Sequence, residues 1–414
     1  MAQAKKDIVG TDDKWIGLLG QFLGEAIFGD RRAQLTLLGL CHLSVDSYAT
    51  LLSPLLPVLV ARMQLSLFAA GALGSVVSLA NMTQPIMGLV VDRLRRRILV
   101  PLGALLTAVT IPMMGLAPSF AALVVLLALG GLGVAAFHPA AFALAGELGG
   151  ERRSTGIAVF AFSGTIATGL TPLWAPAMAA DTSLRTLPLV ALVGVVTAVA
   201  VWARVPLEWP APRRSWAEMR HTLSRVLFPL TGILAIVALR SVVAMGFAAF
   251  IPLLSNERGL SLLAGGALLS VYSTAGVVFS LVAGYLADRT RAAPLVWGSL
   301  LLAAPALYLS VRTAGVLSVI MLALGGGMVV ASNAVLIAIA QRIAPGNEGL
   351  ASSVPLGLGW GLGAIALPII GAVADRQGIE LALRALALLP VLPAVLSMVV
   401  LNRGAAQEGT GGHR

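Results

Sequence analysis

Charge is scarce in this sequence. Only 11% of its 414 residues are Asp, Glu, Lys or Arg, 58% are hydrophobic, and the mean hydropathy is +0.93. A water-soluble globular chain of this length does not carry that balance. Cysteine is nearly absent: Cys41 alone excludes an internal disulfide and any cysteine-rich metal centre. The sequence also lacks metal-ligand spacings, a nucleophile elbow, and a phosphate-binding loop followed by lysine. An enzyme is therefore not expected, nor a bound cofactor, nor ATP-driven work.

What the chain does contain is apolar runs of about 20 residues or more, each long enough for a helix to cross a hydrocarbon core of roughly 30 Å at about 1.5 Å per residue. Twelve are read, near 33–60, 66–91, 98–116, 119–146, 155–179, 185–204, 228–254, 262–287, 293–312, 313–341, 349–373 and 379–401. Gly, Ala and Leu dominate them, and no alternation of about ten residues suggests barrel strands. The expected fold is an all-α membrane protein. If the N-terminus is cytoplasmic, 21 of the 28 Lys and Arg fall on cytoplasmic segments, six on outer loops and one, Arg240, inside the membrane. Both termini are thus expected in the cytoplasm, with the chain in the inner membrane of a bacterium. The net charge of +10 then reflects orientation and attraction to anionic lipid, and nucleic acid is not an expected partner.

Residues 1–32 carry charge throughout, yet Trp15, Leu18, Leu19, Phe22 and Leu23 share one helical face, which fits either a short interfacial helix or a disordered cytoplasmic tail. The arginine- and proline-containing stretch 205–227 reads as a cytoplasmic linker between a bundle at 33–204 and another at 228–401, with 402–414 as a second tail. The two bundles are repeats. LSLFAAGALGSVVS at 65–78 and LSLLAGGALLSVYS at 260–273 match at ten of fourteen positions with an offset of 195 residues. An offset of 196 pairs GLVVDR at 88–93 with GYLADR at 284–289. Two six-helix repeats in parallel orientation are an architecture in which bundles rock about a site near the bilayer midplane.

These paired loops, with Gly88, Asp92 and Arg93 in one and Gly284, Asp288 and Arg289 in the other, resemble the loop signature of the major facilitator superfamily. Their glycines would permit close helix approach. Their aspartates would accept hydrogen bonds from a neighbouring helix N-terminus and latch the cytoplasmic side. Arg95 and Arg291 stand where that pattern has a second glycine. HLSVD at 42–46, TQPIMG at 83–88, GLGVAAFHPA at 131–140 and the run 340–380 resemble the fosmidomycin-resistance branch. That resemblance implies the major facilitator fold, with twelve helices in two pseudo-symmetric bundles. It also implies a secondary transporter working by alternating access, typically a proton-driven exporter (antiporter) of drugs or small organic compounds. Ala140, Ala161 and Thr165 replace polar groups usual in that branch, so substrate identity does not carry over. Import of an organic anion by proton symport is the alternative, and a non-transporting sensor is a third. The expected partners are a small molecule, protons and membrane lipid, with the chain acting as a monomer.

His42 and Asp46 lie four residues apart on one helical face. A carboxylate near mid-bilayer costs at least about 2.5 kcal/mol unless paired, protonated or wet, so this face should line a cavity. His138 lies at a similar depth in the fourth helix. The 195-residue offset maps it onto Asn333 and maps Val45 onto Arg240. With the central helices placed as the resemblance implies, His42, Asp46, His138, Arg240 and Asn333 are expected to converge. Asp46, His42, His138 and Arg240 are the candidate proton-coupling groups, with Asp46 alternating between a desolvated state and pairing with Arg240. Arg240, His138, Asn333, Tyr272, Trp360 and Gln84 are the candidate substrate contacts. Interhelical hydrogen bonding or packing alone is the competing reading for the histidines, Gln84 and Trp360.

Overall fold

In the computed structural model, residues 30–87, 98–179, 184–205, 224–225, 227–343, 351 and 354–410 are described, and their regular structure is helical throughout. Twelve helices are long and apolar enough to cross a membrane: α1 (Arg31–Met63), α2 (Leu67–Met87), α3 (Leu99–Leu116), α4 (Phe120–Leu148), α5 (Thr155–Ala179), α6 (Leu187–Arg204), α7 (Thr231–Glu257), α8 (Leu262–Ala287), α9 (Ala292–Arg312), α10 (Gly315–Ile343), α11 (Gly357–Gln377) and α12 (Ile379–Leu401). The count agrees with the twelve apolar runs, with edges moved by a few residues. The expected interfacial segment up to residue 29, Gly88, Asp92 and Arg93 of the first loop, and residues 206–223 of the expected linker lie outside the described residues.

Helix starts and breaks follow local chemistry. Ser66, Ser119 and Ser261 each stand just before a helix, and each hydroxyl accepts from a backbone N–H three residues on, in Ala69, Ala122 and Ala264. That satisfies one of the donors a helix leaves unpaired at its N-terminus. In α1 the regular helix stops at Ala49 and restarts at Leu52. Pro54 and Pro57 each remove an amide donor there, and Thr50 bonds its hydroxyl back to the Asp46 carbonyl.

An even number of crossings places the start of α1 and the end of α12 on one face, called here the terminal face; the other is the distal face. The repeat is visible in the distal loops. Arg62 donates to the carbonyls of Gly115 and Ala117 at the end of α3, and Arg258 donates to Val311 at the end of α9. Both arginines thus satisfy carbonyls that a helix C-terminus leaves open.

Two seams join α1–α6 to α7–α12 near the distal face. At one, Gly71 of α2 lies against the Leu367 carbonyl of α11 and Gly371 against that of Leu67, so any Cβ at either glycine would overlap backbone. Beside them the Asp375 carboxylate accepts from Leu67 N (2.7 Å) and Phe68 N (2.9 Å), bonding the first turn of α2 from the opposite half. At the other seam, Ser270 of α8 donates to the Gly169 carbonyl of α5 at 2.6 Å. Three hydrogen bonds thus join the halves at these distal seams. Among the described residues Asp288, expected to latch, has no side-chain hydrogen bond or ion pair and sits in an exposed turn; residues 344–350 and 352–353, which lead into α11, lie outside the described residues. The carboxylate that does bind a helix N-terminus is Asp375, on the other face.

Candidate functional site

The first part of α1 places His42 and Asp46 toward α4 and α5. His42 and Asp46 do share a face, as their spacing requires. His42 Nε2 lies 3.2 Å from Asp46 Oδ2, His138 Nε2 lies 3.2 Å from Asp46 Oδ1, and the two Nε2 atoms are 3.2 Å apart. The other ring nitrogens face the backbone: His42 Nδ1 is 2.7 Å from the Phe160 carbonyl and His138 Nδ1 is 2.9 Å from the Val134 carbonyl. A carbonyl can only accept, so both Nδ1 atoms carry hydrogen.

The consequence is chemical. With both rings neutral, two Nε2 lone pairs and a carboxylate face one another, and the cluster has acceptors and no donor. One proton between the Nε2 atoms, or one on each directed to its own carboxylate oxygen, converts repulsion into charge-assisted hydrogen bonds. The cluster therefore takes cations. Its three ligand atoms lie close enough together to touch one metal ion. Around them stand Phe137, Phe142 and Phe160, with the His42 ring stacked on Phe160 at 4.0 Å, and no fourth His, Cys, Asp or Glu joins the group among the described residues. A structural metal centre with four protein ligands is thus not built here, and the proton is the cation these residues fit. His42 is 3% exposed, whereas His138 and Asp46 are 15% and 21% exposed, so the accessible side of the cluster is formed by the latter two.

Gly164 of α5 completes the cluster, and sequence reasoning missed it. A Cβ there would overlap Asp46 Oδ2 and the His42 ring. Gly164→Ala is expected to spread the cluster at a cost of about 1–3 kcal/mol of overpacking and to reduce transport flux about tenfold or more. Gly39→Ala is the control, since its Cβ would meet Ser163 only at 3.4 Å. Equal flux in both variants, measured in vesicles at matched protein amounts, would show that Gly164 has no special part.

Arg240 does not join Asp46, contrary to expectation, and no ion pair links them among the described residues. Arg240 lies on α7, fully buried. Its Nη2 donates to Asn333 Oδ1 of α10 at 3.2 Å, and its guanidinium carbon lies 5.7 Å from the centre of the Trp360 ring of α11. The five residues expected to converge therefore form two groups, one in each half: His42, Asp46 and His138 in the first, Arg240 and Asn333 in the second. The other candidates are used locally. Tyr272 is buried, donates to the Ala244 carbonyl and stacks on Phe247. Gln84 donates to Asn81 at 2.7 Å. Arg289 lies over the Tyr285 ring in the exposed turn after α8.

The fold and this arrangement have counterparts among known proteins. The chain is 24% identical over 387 residues to the fosmidomycin resistance protein of Escherichia coli (strain K12), covering 88% of this chain and 92% of that one. It is 28% identical over 380 residues to the MFS-type transporter YfnC of Bacillus subtilis (strain 168), covering 86% and 90%. In structure it is similar to a bacterial homolog of the human lysosomal transporter Spinster, in an inward-facing and unoccupied conformation, with a TM-score of 0.79 at 16% identity over 90% of this chain and 97% of that one. The sequence pattern of the Major Facilitator Superfamily matches residues 38–354, across both repeats and both polar groups. With twelve membrane-crossing helices in two related halves, this chain is an integral membrane transporter that belongs to the Major Facilitator Superfamily.

Proposed function

We propose that this transporter exports a small organic compound across the bacterial inner membrane in exchange for protons, acting as a monomer with both termini cytoplasmic. The observation that carries the reading is the acceptor-only cluster of His42, Asp46 and His138, which needs a cation to be stable and is reached by solvent. Alternating access supplies the coupling: protons bind when the cluster faces the acidic side and leave when it faces the cytoplasm. The positive charges concentrated beside the terminal face support the orientation. On this reading, the hydrogen bonds at the distal seams would close the outer side and leave the cluster to exchange protons with the cytoplasm. The named relative that confers resistance to fosmidomycin supports efflux.

Import of an organic anion by symport is the second reading, favoured by Arg240 and its unpaired donors. Flux in oriented vesicles separates the two. With fosmidomycin as the first probe and a panel of charged and neutral drugs behind it, export predicts uptake into everted vesicles with an acidic lumen, abolished by a protonophore. Import predicts gradient-driven uptake into right-side-out vesicles instead. Absence of pH-dependent flux and counterflow for the whole panel in both orientations would leave a non-transporting sensor.

A further inference from the structure

The second polar group is the chemical opposite of the first. Arg240 is 0% exposed, yet its Nε and Nη1 have no hydrogen-bond partner. The neighbouring Ser241 hydroxyl and the Trp360 indole N–H are buried and unpartnered as well. Among the described residues, no Asp or Glu forms an ion pair with Arg240. A buried guanidinium without a counter-charge is strongly unfavourable, and replacing it with an apolar residue of similar volume would favour folding. Its retention points to a ligand that brings the missing negative charge.

The backbone is shaped to bring these donors together. Gly359 and Gly363 of α11 lie so close to α7 that a Cβ on either would overlap Val237 or Ser241, the residues flanking Arg240 in space. A π-helical turn over Val354–Gly359 shifts the register of the chain just before Trp360, and the indole then lies over the guanidinium. Trp360 and Asn333 keep some exposed surface whereas Arg240 has none, so a ligand would reach the guanidinium past these two side chains.

The repeat gives the comparison its meaning. The 195-residue offset pairs Asp46 with Ser241, His138 with Asn333 and Gly164 with Gly359. The acceptor cluster of the first half and the group around Arg240 in the second thus occupy related places in the repeat. We propose that the α7–α11 interface, built on Arg240, Ser241 and Trp360, is an anion subsite that takes the carboxylate, phosphonate or phosphate group of a solute, while protons are handled by the opposite half. This rests on the transporter reading and names the substrate class. A planar fork with two free N–H directions, an indole N–H and a hydroxyl suit an oxyanion with several acceptor oxygens.

Binding without any gradient tests the subsite separately from proton coupling. Purified full-length protein in phosphatidylcholine nanodiscs would be titrated with phenylphosphonate, benzoate and inorganic phosphate, and with neutral benzamide, using calorimetry and thermal unfolding. At least one anion is expected to bind about tenfold or more tightly than benzamide. Arg240→Gln should remove that preference and raise the unfolding temperature of the unliganded protein. Trp360→Phe, which keeps the ring and loses the N–H, should weaken the anion and not benzamide, and it carries the test together with Arg240→Lys if Arg240→Gln does not fold. Equal affinity for anions and benzamide, no anion binding at all, or anion binding unchanged in the variants would each overturn the proposal. Nanodiscs containing phosphatidylglycerol separate the sources: an Arg240-dependent stabilisation by that lipid that blocks the soluble anions would assign the site to a lipid head group and overturn the solute. Anion binding without proton-driven flux would leave the subsite standing and remove the coupling.

Discussion

Asp46→Asn is expected to reduce pH-driven flux to the level of vesicles lacking the protein, while leaving substrate exchange at equal pH within a few-fold of the parent. The amide keeps the size of the carboxylate and can donate through its nitrogen to one Nε2, while its oxygen accepts from the other Nε2 only when that ring is protonated. What it cannot supply is the negative charge that faces His42 Nε2 and His138 Nε2, each 3.2 Å from one oxygen of Asp46. The cluster would then stay in one protonation state through the transport cycle. Retained exchange with lost coupling is the signature, because alternating access itself does not require the charge. Parent-level pH-driven flux would remove Asp46 from the mechanism, and loss of binding together with coupling would make it a substrate ligand.

Asp375→Asn is expected to shift the resting population toward a distally open state by about tenfold. The exposed Asp375 carboxylate accepts from two backbone amides of α2 across the boundary between the halves, and a carboxylate cap on a helix N-terminus contributes about 0.5–2 kcal/mol, where about 1.4 kcal/mol is a factor of ten. The substitution removes the charge and turns an NH2 group toward one of those amides. A single cysteine at Leu367, which packs against Gly74 of α2 and is 1% exposed, would report the opening in a Cys41→Ser background. Its reaction with an impermeant thiol reagent added on the distal side should accelerate in the Asp375→Asn variant. An unchanged rate would show that glycine-to-backbone packing alone holds the seam.

The signal for Asp375 was present in the sequence. GAVADR at 371–376 is a third copy of the glycine-to-aspartate spacing seen at 88–93 and 284–289. It ends a helix on the other face, and the sequence alone does not say which helix N-terminus a terminal aspartate meets. Gly164 illustrates the same difficulty from the opposite side. It is one of 45 glycines, and only the arrival of α1 against α5 separates it from those that merely permit packing. The break in α1 was legible through Pro54 and Pro57, but its exact place depended on where Thr50 bonds.

The sequence by itself determined the twelve crossings, the repeat, and the presence of His42, Asp46, His138 and Arg240 within the membrane, because the cost of burying charge and the 3.6-residue helix period act locally along the chain. Tertiary structure alone decided how those residues are partnered. Helical spacing places His42 and Asp46 on a common face, but the rotation of α4 brings His138 to them, and the contact of α7 with α10 and α11 gives Arg240 to Asn333 and Trp360 instead of to Asp46. Helix rotation and seam geometry are fixed by side-chain and glycine packing between segments far apart in the chain, 96 residues for His42 and His138 and 93 for Arg240 and Asn333, and local periodicity carries no information about that packing.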